Sequence, residues 1–233
     1  MIIRLLGDLL SPPTCAACDT RLFDGRHVFC RACSSSVERF SGGRACVAFG
    51  LFGGALAVAI RKLKYQNRPD LGRPLGSLLR RACRDSGRCA DVVIPVPLHE
   101  RRLVARGYNQ AALLASHLAI EMAVPMMPHV LVRRLDTPSQ AGLGRAERRT
   151  NLANAFAVAV RGRAKGRAIA LVDDVTTTGA TLNACSAVLL SAGARSVESF
   201  VVAVTPEWAT DGPSRQLDDT TEKRRGTISP VAR

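Results

Sequence analysis

The sequence is poor in aromatic residues, in acidic residues and in long hydrophobic runs. Aromatic residues make up 4% of the 233 residues, and so few rings argue against a surface that stacks the bases of single-stranded nucleic acid. No repeat of fixed period runs along the chain, which excludes solenoid and collagen-like folds. Hydrophobic residues still account for 47%, too many for a mainly disordered protein. The length suits one α/β domain with a small addition, or two small domains.

No apolar run reaches the roughly 20 residues that a membrane-spanning helix needs. The uncharged stretch at 45–60 is shorter and contains three glycines, so we expect a buried strand followed by the start of a helix. Near the N-terminus, Arg4 and Asp8 interrupt the apolar residues, unlike the continuous apolar core of a secretory signal. We therefore expect a cytoplasmic protein without a membrane span.

Basic residues outnumber acidic ones, 33 to 19, which gives a formal net charge of +14. Residues 207–233 contain five of each sign, so the whole excess lies in residues 1–206. A folded part this basic is typical of proteins that meet phosphate, in nucleic acids, nucleotides or membranes. Arginine outnumbers lysine 29 to 4, so compositional bias of the genome is an alternative source of part of the charge.

Helical and strand-like patterns alternate between residues 47 and 205, which predicts a parallel sheet covered by helices. Residues 1–46 read as a turn-rich head with cysteines, and residues 206–233 as a polar, disordered tail from which Trp208 alone could pack on the body. The predicted strands are 91–97, 129–133, 168–172 and 197–204, and the predicted helices are 54–65, 71–84, 109–121 and 181–192.

The most informative segment is 168–181, with the sequence AIALVDDVTTTGAT. An apolar strand is followed by two carboxylates, Asp173 and Asp174, and a threonine- and glycine-containing loop then opens a helix. The start of a helix offers unpaired N–H groups and the positive end of the helix dipole, which suit a phosphate. The carboxylates would repel phosphate and suit sugar hydroxyls instead. An ordinary strand-to-helix turn with a threonine cap is the alternative interpretation.

A second basic segment, 133–149, contains five arginines against two acidic residues. A glycine-containing loop with this charge can close over a diphosphate and exclude water. A solvated basic loop, or a face for nucleic acid, is the alternative.

Four of the eight cysteines form two CxxC pairs that are separated by 11 residues. Two such pairs can supply the four thiolates of one tetrahedral Zn²⁺ site. A redox-active CxxC is the alternative, but two copies lie close together here without a preceding strand and helix. The predicted zinc ligands are Cys15, Cys18, Cys30 and Cys33, and we expect Cys46, Cys83, Cys89 and Cys185 to be small buried residues.

Together these segments resemble the ComF family of competence-associated proteins. Residues 171–181 look like the phosphoribosyl pyrophosphate (PRPP) signature of type I phosphoribosyltransferases, and residues 94–99, 101–110 and 137–151 resemble further ComF segments. The resemblance implies an α/β fold: a type I phosphoribosyltransferase-like parallel sheet flanked by helices at 47–205, behind a small zinc-ribbon head at 1–46. Many members carry a second set of paired cysteines, whereas only Cys46 remains here, so a second zinc is not expected.

The resemblance also implies roles for single residues. Asp173 and Asp174 would hold the ribose 2- and 3-hydroxyls, and Arg102 and Arg106 would act with them in catalysis by stabilising the diphosphate together with Mg²⁺. The implied 5-phosphate loop is Thr176, Thr177, Thr178, Gly179, Ala180 and Thr181, the pyrophosphate loop is Pro95, Val96, Pro97 and Leu98, and the flexible hood includes Gln140, Arg145, Arg148, Arg149 and Asn151. His99 is a candidate general base, although a lone histidine near a strand end is more often structural.

Two functions are open at this point. The first, which the intact acid pair and loop favour, is an enzyme that transfers phosphoribosyl from PRPP to an unidentified nitrogen acceptor and releases pyrophosphate, with Mg²⁺ and one structural Zn²⁺. The second is a non-catalytic accessory protein of DNA uptake. Such a protein would bind single-stranded DNA or partner proteins through the basic head and use PRPP or a nucleotide as ligand.

Overall fold

A computed structural model describes residues 12–25, 27–42, 46–135, 155–160 and 162–211. The strands in these ranges are β1 (Val47–Leu51), β2 (Val92–Pro95), β3 (Leu131–Arg133), β4 (Phe156–Val158), β5 (Ala168–Thr176) and β6 (Ser196–Val204). The helices are α1 (Arg31–Ser34), α2 (Gly54–Tyr65), α3 (Gly72–Ser86), α4 (Glu100–Arg106), α5 (Gln110–Met122), α6 (Ala180–Ser191) and α7 (Pro206–Asp211), with a 3₁₀ turn at Pro69–Leu71.

A parallel sheet with the strand order β1-β6-β5-β2 lies at the centre of the described residues. The long strand β5 pairs with β2 on one side, up to Pro95 opposite Val172, and with β6 on the other, up to Thr176 opposite Val204. Because the strands are parallel, the loops after β2 and β5 leave the sheet at the same edge. The predicted fold class, a parallel sheet flanked by helices behind a head with four cysteines, is confirmed.

Helices cover both faces of the sheet, and the side chains of β5 point alternately to one face and the other. Ala170 and Val172 face the side on which α3 and α5 pack, and Ile169 and Leu171 face the side on which α6 packs. Each face carries its own apolar core. The fully buried side chains of the first include Leu56, Ile60, Leu63, Leu75, Leu79, Leu114 and Leu118, and the second contains Leu182, Cys185 and Leu189.

One predicted strand lies outside the main sheet. The segment predicted at 129–133 contains β3, which pairs antiparallel with β4 in a separate two-stranded sheet. Leu131 and Phe156 are buried in the core formed by α6. This antiparallel pair therefore lies against the helix that follows the threonine-containing loop.

The predicted disordered tail begins with a helix. Residues Pro206–Asp211 form α7, and Trp208 is only 7% exposed because it packs into the second core near the ring of Phe40. Residues 206–211 therefore differ from the predicted disorder, whereas the expected packing of Trp208 on the body is observed. The rest of the predicted tail lies outside the described residues.

The cysteine-bearing segment packs directly on the sheet and on α2. Arg39 lies opposite Gly50 in an antiparallel bridge beside β1, which covers this edge of the sheet. The Ser36 hydroxyl accepts a hydrogen bond from the N–H of Ala55, in the first turn of α2. Asp19 accepts hydrogen bonds from Lys62 and, at 2.9 Å, from Arg68. The predicted boundary at residue 46 stays a prediction.

The helices of the described residues are all too short or too polar to cross a lipid bilayer.

Candidate functional site

The strand β5 runs through the two predicted ligand-binding carboxylates instead of ending before them. Its pairing with β6 continues to Thr176, beyond the predicted end at residue 172. Neighbouring side chains of a strand point to opposite faces. Asp173 and Asp174 therefore occupy two different environments at the carboxyl end of the strand.

Asp174 is buried, with 2% of its surface exposed, and it is paired with a lysine. Its Oδ1 atom lies 3.0 Å from the ammonium of Lys64 and accepts a hydrogen bond of 2.8 Å from the N–H of Val175. Burial lowers the pKa of Lys64, but Asp174 and Asp173 outweigh this effect and raise it above its ordinary value. The Asp174 Oδ2 atom is buried and has no partner among the described residues, so it can still accept a hydrogen bond.

Asp173 has a backbone hydrogen bond but forms no ion pair within the described residues. Its Oδ1 atom accepts a bond of 2.8 Å from the N–H of Asp174. Removal from water, followed by the charge of Asp174, raises the pKa of Asp173 to about 8. The protonated form of this carboxyl group is therefore more favoured than in a free aspartate, and a protonated carboxyl can both donate and accept hydrogen bonds.

The loop between β5 and α6 ends at a glycine with a left-handed backbone conformation. Gly179 has a φ of +73° and is the N-cap of α6, and a β-carbon placed on it would lie 3.2 Å from Nε1 of Trp208. Glycine adopts this backbone conformation at little cost. Thr181 lies in the first helical turn, whose N–H groups have no partner within the helix. The predicted 5-phosphate loop thus directly follows the acid pair.

The predicted pyrophosphate loop lies beside the acid pair. Val96 donates a hydrogen bond of 2.8 Å to the carbonyl of Val172, the residue before Asp173. The amide of Asn109 donates a bond of 3.0 Å to the Val96 carbonyl. Pro95, Val96 and Pro97 are buried and Leu98 is partly buried. The parallel sheet thus brings together two loops that are far apart in the sequence.

His99 has a structural role at the start of α4. Its Nδ1 atom accepts a hydrogen bond of 3.3 Å from the N–H of Arg101, which makes it the N-cap of the helix. This contact agrees with the structural interpretation of a lone histidine at a strand end.

Arg102 and Arg106 lie one turn apart on α4, directly after the pyrophosphate loop. Arg106 donates a hydrogen bond to Gln110, and its guanidinium lies 5.6 Å from the centre of the Tyr65 ring. Tyr65 is the neighbour of Lys64, so Arg106 lies near the end of α2 that contacts Asp174. Two elements thus bring positive charge toward the same edge of the sheet.

All five predicted hood residues, Gln140, Arg145, Arg148, Arg149 and Asn151, lie outside the described residues. The structure describes the two ends of their segment. Arg134 donates a hydrogen bond of 2.8 Å to the carbonyl of Ala155, next to the paired strands β3 and β4. Both ends of the segment therefore meet at one place, against α6.

Lys64 is the site residue that the sequence did not reveal. It belongs to a basic stretch, 61–64, whose composition alone does not distinguish buried from exposed side chains. Lys62 pairs with Asp19 and Lys64 with Asp174. The repeat of α2 indicates which face is buried, but no sequence signal links Lys64 to a strand far along the chain.

The four cysteines of the two CxxC pairs form one cluster. Their Sγ atoms all lie within 4.8 Å of one another, and those of Cys18 and Cys30 are 3.7 Å apart, too far for a disulfide. A tetrahedral zinc ion with Zn–S bonds of about 2.3 Å places its sulfurs about 3.8 Å apart. The cluster therefore has the size that such an ion requires.

The electrostatics of the cluster also fit a cation. Hydrogen bonds from the side chain and backbone of Thr20 lower the pKa of Cys18 to about 6. Desolvation and the neighbouring thiols raise the pKa of Cys33 to about 12. Four thiolates this close together repel one another unless a metal ion compensates them. Outside the cluster, Cys46, Cys83 and Cys185 are buried as predicted, whereas Cys89 is exposed.

We expect Asp173 to lower the stability of the protein as pH rises. Its pKa is about 3.8 in the unfolded chain and about 8 in the folded one, so its stabilising contribution is complete below pH 3.8 and is lost as pH rises to about 8. Relative to the native protein, Asp173→Asn should gain stability over this range, by at most about 1.4 kcal/mol per pH unit. Urea unfolding at several pH values measures the difference.

Asp19→Asn is the control of opposite sign. Hydrogen bonds from Lys62 and Arg68 lower the pKa of Asp19, so its contribution is present above its unfolded pKa and is lost as pH falls further. A stability difference for Asp173→Asn that does not change with pH would contradict the raised pKa.

Comparison with known proteins gives relatives among competence and DNA utilization proteins. The chain is 34% identical over 197 residues to Competence protein F of Haemophilus influenzae, which covers 82% of this chain and 84% of the relative. DNA utilization protein YhgH of Escherichia coli O157:H7 is 34% identical over 155 residues, 64% of this chain and 67% of the relative. Competence protein ComFC of Bacillus subtilis is 37% identical over 112 residues, 48% of this chain and 43% of the relative.

Solved structures show more distant similarity. An allosteric regulatory enzyme of purine biosynthesis has 21% identity and a TM-score of 0.43, over 60% of this chain and 29% of that one. An adenine phosphoribosyltransferase has 13% identity and a TM-score of 0.44, over 79% and 92%. No family model matches the chain. The assignment therefore rests on the sequence relatives, and their identity over most of both chains shows that the protein belongs to the ComF family of competence-associated proteins.

Proposed function

We propose that the protein binds PRPP with Mg²⁺ and transfers the phosphoribosyl group to a nitrogen acceptor. The observation that carries the proposal is the adjacency of an acid pair, a threonine- and glycine-containing loop and a helix start at the carboxyl end of one central strand. A sugar that carries a phosphate needs hydroxyl acceptors and an anion site next to each other. Asp173–Gly179 supply both within seven residues.

The ribose would lie against the acid pair. The free Oδ2 of Asp174 can accept a hydrogen bond from one ribose hydroxyl, and the carboxyl of Asp173 can bind the other. The 5-phosphate would then reach the N–H groups at the start of α6 and the hydroxyls of Thr177 and Thr178. Lys64 holds Asp174 in its orientation and compensates its charge.

The diphosphate would lie over the loop 95–98. Arg102 and Arg106 follow this loop on α4, and the hood arginines Arg145, Arg148 and Arg149 are proposed to complete its surroundings. Mg²⁺ bound with PRPP would neutralise part of the charge that grows on the departing diphosphate.

The proposed reaction is a displacement at C1 of the ribose. The bond from C1 to the diphosphate oxygen breaks and its electron pair leaves with pyrophosphate. A bond from the acceptor nitrogen to C1 forms, and the nitrogen releases a proton to solvent. Positive charge on the ribose ring in the transition state is favoured by nearby carboxylates, and negative charge on the diphosphate by the arginines.

We expect PRPP with Mg²⁺ to raise the melting temperature of the protein, because a ligand that binds only the folded state stabilises it. Asp174→Asn should reduce this shift, because the amide cannot replace the charged acceptor and leaves Lys64 unpaired. A matched control is Asp91→Asn, since Asp91 bonds to the N–H of Ala168 at the start of β5, the opposite edge of the sheet. No shift of the native protein at millimolar PRPP would contradict the ligand.

Binding of PRPP does not show that the protein is an enzyme, so catalytic activity and the identity of the acceptor are measured separately. Release of pyrophosphate from PRPP, followed with purine, pyrimidine and amine acceptors, tests whether the bound ligand reacts. Binding without release in the presence of any of them would favour the non-catalytic alternative.

We further propose that Cys15, Cys18, Cys30 and Cys33 hold one structural Zn²⁺. Metal analysis of the purified protein should find about one equivalent of zinc per chain. Cys33→Ser should lose the metal, whereas Cys89→Ser, at an exposed cysteine outside the cluster, should keep it. Two equivalents, or none, would contradict the assignment.

The names of the relatives support DNA as a second ligand. Arg21 and Arg31 are exposed on the head, while Arg39 pairs with Asp85 and lies over the Phe49 ring. Neither Arg21 nor Arg31 forms an ion pair within the described residues, so both can contribute positive charge to a surface for DNA. A role in DNA uptake would combine this surface with the phosphoribosyl site.

We expect single-stranded DNA binding to weaken steeply as salt rises. The double change Arg21→Gln and Arg31→Gln should weaken binding and lower the slope of log K against log salt by about 0.7 for each phosphate that the protein no longer neutralises. Arg163→Gln with Lys165→Gln removes the same charge from the turn before β5 and is the control. Equal binding by both double variants would remove the head as the DNA site.

A further inference from the structure

We infer that Trp208 is a positioning residue of the 5-phosphate loop and reports its occupancy. The inference rests on the proposed function, because it concerns the same loop. Trp208 belongs to α7, within a segment whose composition predicts disorder. It is instead only 7% exposed, and its Nε1 atom has no hydrogen-bond partner among the described residues.

The indole contacts the loop where the backbone turns. A β-carbon on Gly179 would lie 3.2 Å from Trp208 Nε1, so the edge of the indole lies directly against the backbone of the residue that begins α6. Gly179 has a φ of +73° and precedes the first N–H groups of α6, which the proposed function assigns to the 5-phosphate. The indole therefore restricts the conformations that the backbone can adopt at Gly179.

Neighbouring residues hold the same loop. The N–H of Thr205 donates a hydrogen bond of 3.0 Å to the carbonyl of Thr176, and the Thr205 hydroxyl donates one of 3.4 Å to the carbonyl of Thr177. These bonds continue the pairing of β6 with β5 past the end of the strands. The residues from Thr205 to Trp208 therefore form one side of the loop.

Trp208 also packs against Phe40, a residue of the segment that precedes β1. The centre of its ring lies 6.3 Å from that of Phe40 at an angle of 59°, a favourable arrangement for two aromatic rings. The N–H of Phe40 donates to the carbonyl of Phe49 on β1. The indole thus lies between the edge of the sheet and the loop, which fixes its position from two sides.

A preformed anion loop needs this support because its N–H groups repel one another until the anion arrives. When the supporting ring is removed, the Gly179 turn can adopt other conformations, and the cost of ordering it is added to every binding event. The effect should therefore appear in PRPP affinity beyond any effect on stability.

The experiment compares Trp208→Ala with Trp208→Phe, which keeps a ring against Gly179 but has no N–H. PRPP affinity is measured by calorimetry with Mg²⁺ present, and folding is checked by circular dichroism. We expect Trp208→Ala to weaken binding by about tenfold or more and Trp208→Phe to restore most of it, since small misplacements of binding groups have effects of this size. Leu78→Ala, a buried change on α3, should leave affinity unchanged.

A second readout needs no variant. Trp208 is the only tryptophan in the chain, and its indole lies next to Gly179, so its fluorescence should respond to a change in the adjacent loop. PRPP should change the emission of the native protein, with the same midpoint as in calorimetry. This measurement decides the question if Trp208→Ala does not fold.

The outcomes separate the two proposals. If the native protein binds PRPP but Trp208→Ala binds equally well, or the emission does not change on binding, the role of Trp208 is wrong and the proposed function stands. If Trp208→Phe loses PRPP binding as completely as Trp208→Ala, packing of an aromatic ring against Gly179 does not explain the loss of affinity, and the inference is overturned. If the native protein shows no calorimetric binding, the proposed function itself fails and this inference fails with it.

Discussion

A carboxylate that is buried at the end of a parallel sheet requires a nearby cation, and the contact between Lys64 and Asp174 meets this requirement. Removing one member of such a pair leaves a buried, uncompensated charge, at a typical cost of about 3–5 kcal/mol. The contact fixes the end of α2 against β5, which in turn brings Tyr65 under the guanidinium of Arg106. Asp173, on the other face of the strand, forms no such ion pair within the described part of the chain, so only one of the two neighbouring acids is held by a cation there.

The sequence predicts those parts of the fold in which local pattern and final packing agree. The helix predicted at 54–65 and the helix α2 have the same bounds, because its apolar repeat is also its buried face. The strand β3 lies within the strand predicted at 129–133, but its partner β4 has only three residues, too few for a period to be visible, and was not predicted. The acid pair was expected after its strand, but pairing with β6 extends β5 to Thr176. Such pairing depends on a partner strand that local composition does not describe.

The residues of the candidate site also fall into those that a local pattern predicts and those that it does not. Cysteine spacing predicts the cluster because each CxxC turn is local, and the motif 173–179 predicts its own loop. Lys64 could not be predicted, since it owes its place to a contact with a distant segment and a lysine in a basic stretch looks like a surface residue. Packing of Trp208 on the body was expected, but its contact with Gly179 depends on the position of α7, which the sequence does not reveal.

The helix α2 has one further consequence, for the exchange of parts between related proteins. Lys62 binds Asp19 of the head and Lys64 binds Asp174 of the sheet, so residues two positions apart hold different parts of the chain. Two residues turn an α-helix by about 200°, and the two contacts therefore restrain α2 from nearly opposite sides. A chimera joined at residue 46 would inherit Asp19 from one parent and Lys62 from the other. A junction after α2 would instead take Lys64 and Asp174 from different parents, so both contacts stay within one parent only when the head, α2 and β5 are exchanged together.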